Sequence, residues 1–193
     1  MNSGEIINDL VNLEIKGRHR FWYPFMKKYN CQKICEVGVR KGKNFRRMID
    51  HKPELAVAVD CWLDDGVKPR NDIFLSQNEL DQQYIDFRNW MDKFPFVKIC
   101  RGYSFDVVRE FPDEYFDFVY VDADHTYEGC LRDITDWYPK VKRGGFLIGD
   151  DYRVKSIPGV KFGVIEAVNL FAKTKRLGFF LGMSRNNWGI IKP

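Results

Sequence analysis

"KICEVGVRKGKNFRRMID", residues 33–50, opens on a short apolar run, breaks at two glycines and resumes with helical spacing. "KICEV" (33–37) has the length and apolar character of a buried strand, and residues 43–51 place their apolar side chains on one helical face. Between them, Gly38 and Gly42 permit a tight turn and a close backbone approach. The first turn of the following helix offers free N–H groups and a positive dipole end, favourable for an anionic group. Asn44 stands where it either caps that helix or donates to the same group. Taken alone, the GxxxG turn reads equally well as a structural connection. Glu36 is the more telling residue, because a carboxylate at a strand end accepts hydrogen bonds from an ammonium such as that of an amino-acid moiety.

The same unit recurs along the chain. "LAVAVD" (55–60), "FVKIC" (96–100), "FDFVYVD" (116–122) and "GFLIGD" (145–150) read as strands, and segments 79–93, 103–111, 127–138 and 160–173 have helical spacing. The internal strands are apolar on both faces, which predicts a parallel sheet covered by helices on both sides. Right-handed crossovers then bring all strand C-termini to one edge, with a ligand crevice where the strand order reverses. Runs 177–182 and 187–191, joined by "GMSRNN", suit a hairpin. The expected fold is α/β: a Rossmann-like, doubly wound, mostly parallel seven-stranded sheet with one antiparallel strand near the C-terminus. The stretch to Lys28 reads as one or two amphipathic helices, so residues 1–30 are expected to form a helical cap and 31–193 the main domain. Its "FWYPFM" (21–26) supplies aromatic surface for the core, for a dimer contact or for a cofactor lid.

At 193 residues, with 45% hydrophobic and 16% aromatic content, the chain has enough apolar side chains for a real core. Its net charge of +4 is mildly basic, with clusters in "VRKGKNFRR" (39–47) and "KTKR" (173–176) that serve as solvated helix surface or face an anionic partner. Five cysteines without CxxC spacing favour reduced thiols over a disulfide frame or zinc site. No apolar leader and no run of about 18 apolar residues stands out, and a cytoplasmic protein is expected.

Each strand end carries polar chemistry. Asp60, a little under 20 residues past Gly42, is placed to take both hydroxyls of a ribose. Trp62 follows, either as a base-stacking platform or as core. In "RGYS" (101–104), Ser104 is placed to meet an adenine edge. A Glu in place of the first glycine of GxGxxG argues against a dinucleotide-binding dehydrogenase.

These residues resemble the class I S-adenosylmethionine-dependent methyltransferases over roughly residues 33–191. "EVGVRKG" matches an ExGxxxG form of the cofactor loop and "VDCW" holds the ribose-binding acid. The resemblance implies that Gly38, Gly42 and Asn44 lie near the methionine portion, Asp60 at the ribose and Ser104 near the adenine. Many relatives carry a third loop glycine where this chain has Arg40, whose side chain must therefore point outward.

"FDFVYVDADHTYEG" (116–129) drives a buried strand into Asp122, Asp124 and His125, and the next strand delivers Asp150 and Asp151 in "GDDY" onto the same edge. Carboxylates so close together repel unless a cation or proton compensates them. Mg²⁺ suits such a site, because it accepts carboxylate oxygens and keeps open positions. Strand-end and helix-cap aspartates without an ion are the plainer alternative. The pattern resembles the metal-dependent O-methyltransferases of catechol, caffeoyl-coenzyme A and sugar type, and a broad DADH-type methyltransferase group. That resemblance implies metal ligands Asp122, Asp150 and Asp151, with Asp122 also bordering the cofactor. His125, with an ordinary pKa of about 6.5, suits proton removal from a hydroxyl; Asp124 matches the catalytic aspartate of sugar-type relatives. The expected reaction is O-methylation of a small hydroxylated acceptor, a sugar or catechol-like diol. An RNA ribose methyltransferase and a non-catalytic cofactor-binding module are the alternatives; "DADH" in place of a (D/N)PPY-type turn opposes base-amine methylation. A homodimer fits, a membrane partner does not.

Overall fold

The computed structural model describes residues 18–63, 75–153, 156–157, 160–181 and 187–193. Helix α1 (Arg18–Lys28) precedes β1 (Lys33–Val37) and α2 (Lys43–Met48), after which come β2 (Leu55–Asp60), α3 (Gln77–Met91), β3 (Val97–Arg101) and the short α4 (Ser104–Val107). The second half runs β4 (Phe116–Val121), α5 (Tyr127–Trp137), β5 (Val141–Gly149), β6 (Ser156–Ile157), β7 (Val160–Lys161), α6 (Val164–Lys175), β8 (Phe180–Leu181) and β9 (Trp188–Ile191).

Seven strands form one sheet in the order β3-β2-β1-β4-β5-β9-β8. The first five pair in parallel. β9 is antiparallel to both β5 and β8. The expected sheet is therefore present, with its order reversing between β1 and β4.

Side-chain alternation along the strands divides the core into two layers. Cys35, Val37, Val57, Val59, Val119 and Leu147 point to one face, where α5 and α6 add Ile134, Trp137, Val168 and Phe171. Ile34, Ala56, Ala58, Phe118, Tyr120 and Phe146 point to the other, against α1, α2 and α3. The described part of the N-terminal segment belongs to that second layer: Trp22, Phe25 and Met26 are buried, and the Trp22 ring meets Phe118 and Tyr120 edge-on at 5.4 and 5.2 Å.

Local chemistry explains several boundaries. α3 starts two residues earlier than its apolar spacing indicates because Ser76 and Glu79 form a reciprocal capping box. Residues 160–161, expected as the start of a helix, instead pair antiparallel with 156–157. In the sequence, the Pro-Gly step at 158–159 is a turn signal that argues against a helix starting at 160; α6 begins only at Val164. All five cysteines are free. Burial pushes the thiols of Cys31, Cys35, Cys100 and Cys130 up, so they pack as small apolar groups and are poor nucleophiles. No described helix is long and apolar enough to cross a membrane.

Candidate active site

The crevice is built at the β1–β4 junction, and Gly38 joins its two sides. Gly38 has φ +94°, and a Cβ there would lie 2.2 Å from the Asp122 carbonyl oxygen. Its N–H donates to the Val59 carbonyl at 2.8 Å, while the Asp122 N–H donates to the Val37 carbonyl at 2.8 Å. The glycine thus lets the turn after β1 touch the end of β4. Gly42, φ +69°, is the N-cap of α2, and a side chain there would strike the Phe87 ring at 2.3 Å. Both glycines are required by protein packing, whatever else approaches them.

On the cofactor side, Glu36 is 1% exposed. Its Oε1 accepts from Asn44 Nδ2 at 3.0 Å, and Asn44 Oδ1 accepts from the Trp22 indole N–H at 2.6 Å. Asp60 is half-buried at the end of β2; Oδ2 accepts from the Arg40 N–H at 2.7 Å and Oδ1 from the Trp62 N–H at 3.0 Å. Burial raises its pKa, and backbone donors from Trp62, Arg40, Val39 and Cys61 pull the other way. Arg40 adopts φ +50° and its side chain is exposed, as the missing loop glycine requires.

Of the two readings of Trp62, the structure supports core. The ring is 1% exposed, packs on Tyr84 and Phe87 at centroid distances of 5.1 and 5.6 Å, and donates to the Arg40 carbonyl at 2.9 Å. Ser104, expected near an adenine edge, directs its hydroxyl to the buried carboxylate of Asp133 on α5. Burial pushes that carboxyl up to about 7, the Ser104 hydrogen bond pulls it down, and the charges of Asp124 and Asp136 raise it.

On the acidic side, Asp122, His125 and Asp151 converge. His125 Nε2 lies 3.2 Å from Asp122 Oδ1 and 3.2 Å from Asp151 Oδ2. One donor atom from each residue lies within 4.8 Å of the others. Two carboxylate oxygens flanking one ring nitrogen favour the tautomer that carries its proton at Nε2. The ring stacks flat on Phe162, 5.1 Å between centroids and 8° between planes, and the His125 carbonyl accepts from the Gly163 N–H at 2.9 Å. Arg153 Nη2 lies 2.6 Å from Asp151 Oδ1.

Asp150 stands apart from this group. Just past the end of β5, Asp150 Oδ1 accepts from Asn187 Nδ2 at 3.3 Å, an amide that also donates to the Tyr120 hydroxyl at 2.9 Å. Asp151 instead adopts φ +56°, which swings it toward His125. Asp124, expected as an alternative base, is drawn into the turn before α5. Its Oδ1 accepts from the Thr126 N–H at 2.9 Å, and Thr126 caps the helix through the Gly129 N–H at 3.1 Å. A Cβ on Gly129 would lie 2.1 Å from the Asp124 carboxyl carbon.

The carboxylates Glu36 and Asp60 at successive strand ends, joined by a glycine turn, suit an ammonium and a ribose diol. The donor set Asp122, His125 and Asp151 suits a divalent cation, its nitrogen moving the preference from Mg²⁺ toward Mn²⁺ or Co²⁺. Sheet order, crevice and acid pattern together define a class I S-adenosylmethionine-dependent methyltransferase.

A family model described as "Methyltransferase domain" matches residues 35–152, more than half of the chain, and the chain belongs to that family. No curated protein matches it. Among solved structures, it is similar to a putative caffeoyl-CoA O-methyltransferase from Staphylococcus aureus: 14% identity, 100% of this chain and 93% of that one, TM-score 0.64. The O-methyltransferase NovP is 17% identical over 93% of this chain and 79% of its own, TM-score 0.63. TomG from Streptomyces achromogenes, an O-methyltransferase of tomaymycin synthesis solved in complex with S-adenosylmethionine, is 10% identical over 98% and 90%, TM-score 0.62. At these identities the likeness is one of fold.

Three residues of the site escape a reading of strand ends. Trp22 lies in a helix before the first strand and Phe162 in a segment with helical spacing; the Pro-Gly dipeptide in the sequence ahead of Phe162 is the signal that interrupts that spacing. Asp133 sits in the middle of α5, on the buried face that also carries Cys130, Ile134 and Trp137.

Proposed function

We propose that the chain transfers the methyl group of S-adenosylmethionine to a hydroxyl oxygen of a small acceptor bearing neighbouring hydroxyls, a sugar or catechol-like diol, with help from a divalent cation. The observation that carries this reading is the convergence of Asp122, His125 and Asp151 beside the Glu36–Gly38 turn. Glu36 accepts the cofactor's ammonium and Asp60 its ribose hydroxyls. The cofactor supplies an electrophilic methyl on a sulfonium, whose sulfur keeps the electron pair when the C–S bond breaks and the O–C bond forms. Asp122 and Asp151 would hold the cation, which would supply charge that lowers the pKa of an acceptor hydroxyl beside it.

His125 takes the acceptor's proton at Nε2. That role requires its lone pair, so the two aspartates must be engaged elsewhere when the acceptor is in place. The stacked Phe162 holds the ring plane, and Arg153 lies close enough to the acidic group to meet an anionic substituent on the acceptor. The cofactor end has no need of such rearrangement.

The test is S-adenosylhomocysteine release against a panel of catechols and sugars, run with Mg²⁺, with Mn²⁺ and with chelator. Turnover with diols that vanishes on chelation is expected. Turnover indifferent to chelator removes the cation from the mechanism. Tight cofactor binding without transfer to any acceptor favours a binding module, and salt-sensitive RNA binding favours the ribose methyltransferase.

A further inference from the structure

We propose that Trp22 is a positioning residue for the amino-acid end of the cofactor, acting through Asn44 on Glu36. The inference rests on the cofactor reading above and adds α1 to that site. An indole N–H only donates, so the Asn44 atom facing Trp22 at 2.6 Å is the carbonyl oxygen. The amide orientation is thereby set, and Nδ2 must point the other way, to Glu36 Oε1 at 3.0 Å and Met48 Sδ at 3.4 Å.

A flipped Asn44 would set its carbonyl oxygen against the Glu36 carboxylate, an unfavourable contact between two acceptors. Trp22 therefore keeps the Asn44 donor, and not its oxygen, on Glu36 Oε1 and holds the carboxylate in the direction that an ammonium needs. Packing makes the arrangement rigid. Trp22 is 3% exposed and lies edge-on against Tyr120, the β4 residue in register with Glu36. One side chain thus braces both the amide and the strand beside the carboxylate.

Trp22→Phe keeps an aromatic ring against Phe118 and Tyr120 and removes the N–H. Calorimetric titration then compares two ligands, S-adenosylhomocysteine and 5′-methylthioadenosine, which has the nucleoside thioether but no amino-acid end. Wild type should bind both. The variant should lose about tenfold for S-adenosylhomocysteine and nothing for 5′-methylthioadenosine. In an Asn44→Ala background, Trp22→Phe should cause no further loss, because the two residues act in series. Equal losses for both ligands, or an undiminished loss in the Asn44→Ala background, would overturn the proposal and make Trp22 a packing residue. Failure of wild type to bind either ligand would instead overturn the cofactor reading, and this inference with it.

Discussion

The two sides of the crevice are built on opposite plans. Around Glu36 and Asp60, the protein itself brings donors to the carboxylates: an oriented amide meets Oε1 of Glu36, and backbone N–H groups clamp both oxygens of Asp60. Around Asp122 and Asp151, acids face each other across a single imidazole nitrogen. The first arrangement is oriented by these donors before a ligand arrives. The second holds its charges in balance among themselves, and a ligand must displace that balance. A methyltransferase benefits from the difference, since the cofactor is common to every turnover while reactivity must wait for the acceptor.

The sharpest way to break this contrast is at His125. His125→Ala should lower turnover by about 10²- to 10⁴-fold and leave cofactor affinity unchanged, read by single-turnover assay beside calorimetry. A parallel fall in cofactor affinity would mean that the two sides are one coupled unit. Gly38→Ala attacks the joint between them. A methyl group within 2.2 Å of a backbone carbonyl, at φ +94°, should cost about 3 kcal/mol or more in urea unfolding. A tolerated substitution would show that the β1 turn does not depend on touching β4.

Much of the contrast was legible in the sequence. Strands apolar on both faces defined the sheet, and acids at strand ends marked the edge on which both sides lie. What a string of residues cannot carry is the direction of a side chain relative to neighbours far along the chain. Asp150 and Asp151 look interchangeable in "GDDY", yet a backbone turn at Asp151 sends them to different partners. Asp124 looks as available as Asp122 until Thr126 and Gly129 bring the turn around its carboxyl. Trp22 was legible only as aromatic surface, because its partner Asn44 is 22 residues away.

Asp133 sharpens the comparison from beneath the crevice. Its carboxyl, ordinarily near 3.8, is pushed up to about 7, chiefly by burial. The folded state therefore binds a proton that the unfolded chain releases between about pH 4 and 7, so stability falls as pH rises through that window and the cost is complete above pH 7. Asp133→Asn should add on the order of 2–4 kcal/mol more stability at pH 8 than at pH 4 relative to wild type, measured by urea unfolding. The same change at both pH values would mean that this carboxyl is ionised throughout, held charged by Ser104.

The smallest effect is expected at Trp62, where two roles give opposite outcomes. Its backbone N–H belongs to the Asp60 clamp, whereas its ring packs between Tyr84 and Phe87 and donates to the Arg40 carbonyl. Trp62→Phe keeps the clamp and removes the indole hydrogen bond, at about 1 kcal/mol of stability. Cofactor affinity should change less than about threefold, since the lost bond holds only the loop carrying Arg40. A base stacked on the ring would be worth about 1–3 kcal/mol, so affinity would fall roughly tenfold or more while stability held. Thermal unfolding and calorimetry on the one variant therefore separate a finished pocket wall from a surface that opens to receive the adenine.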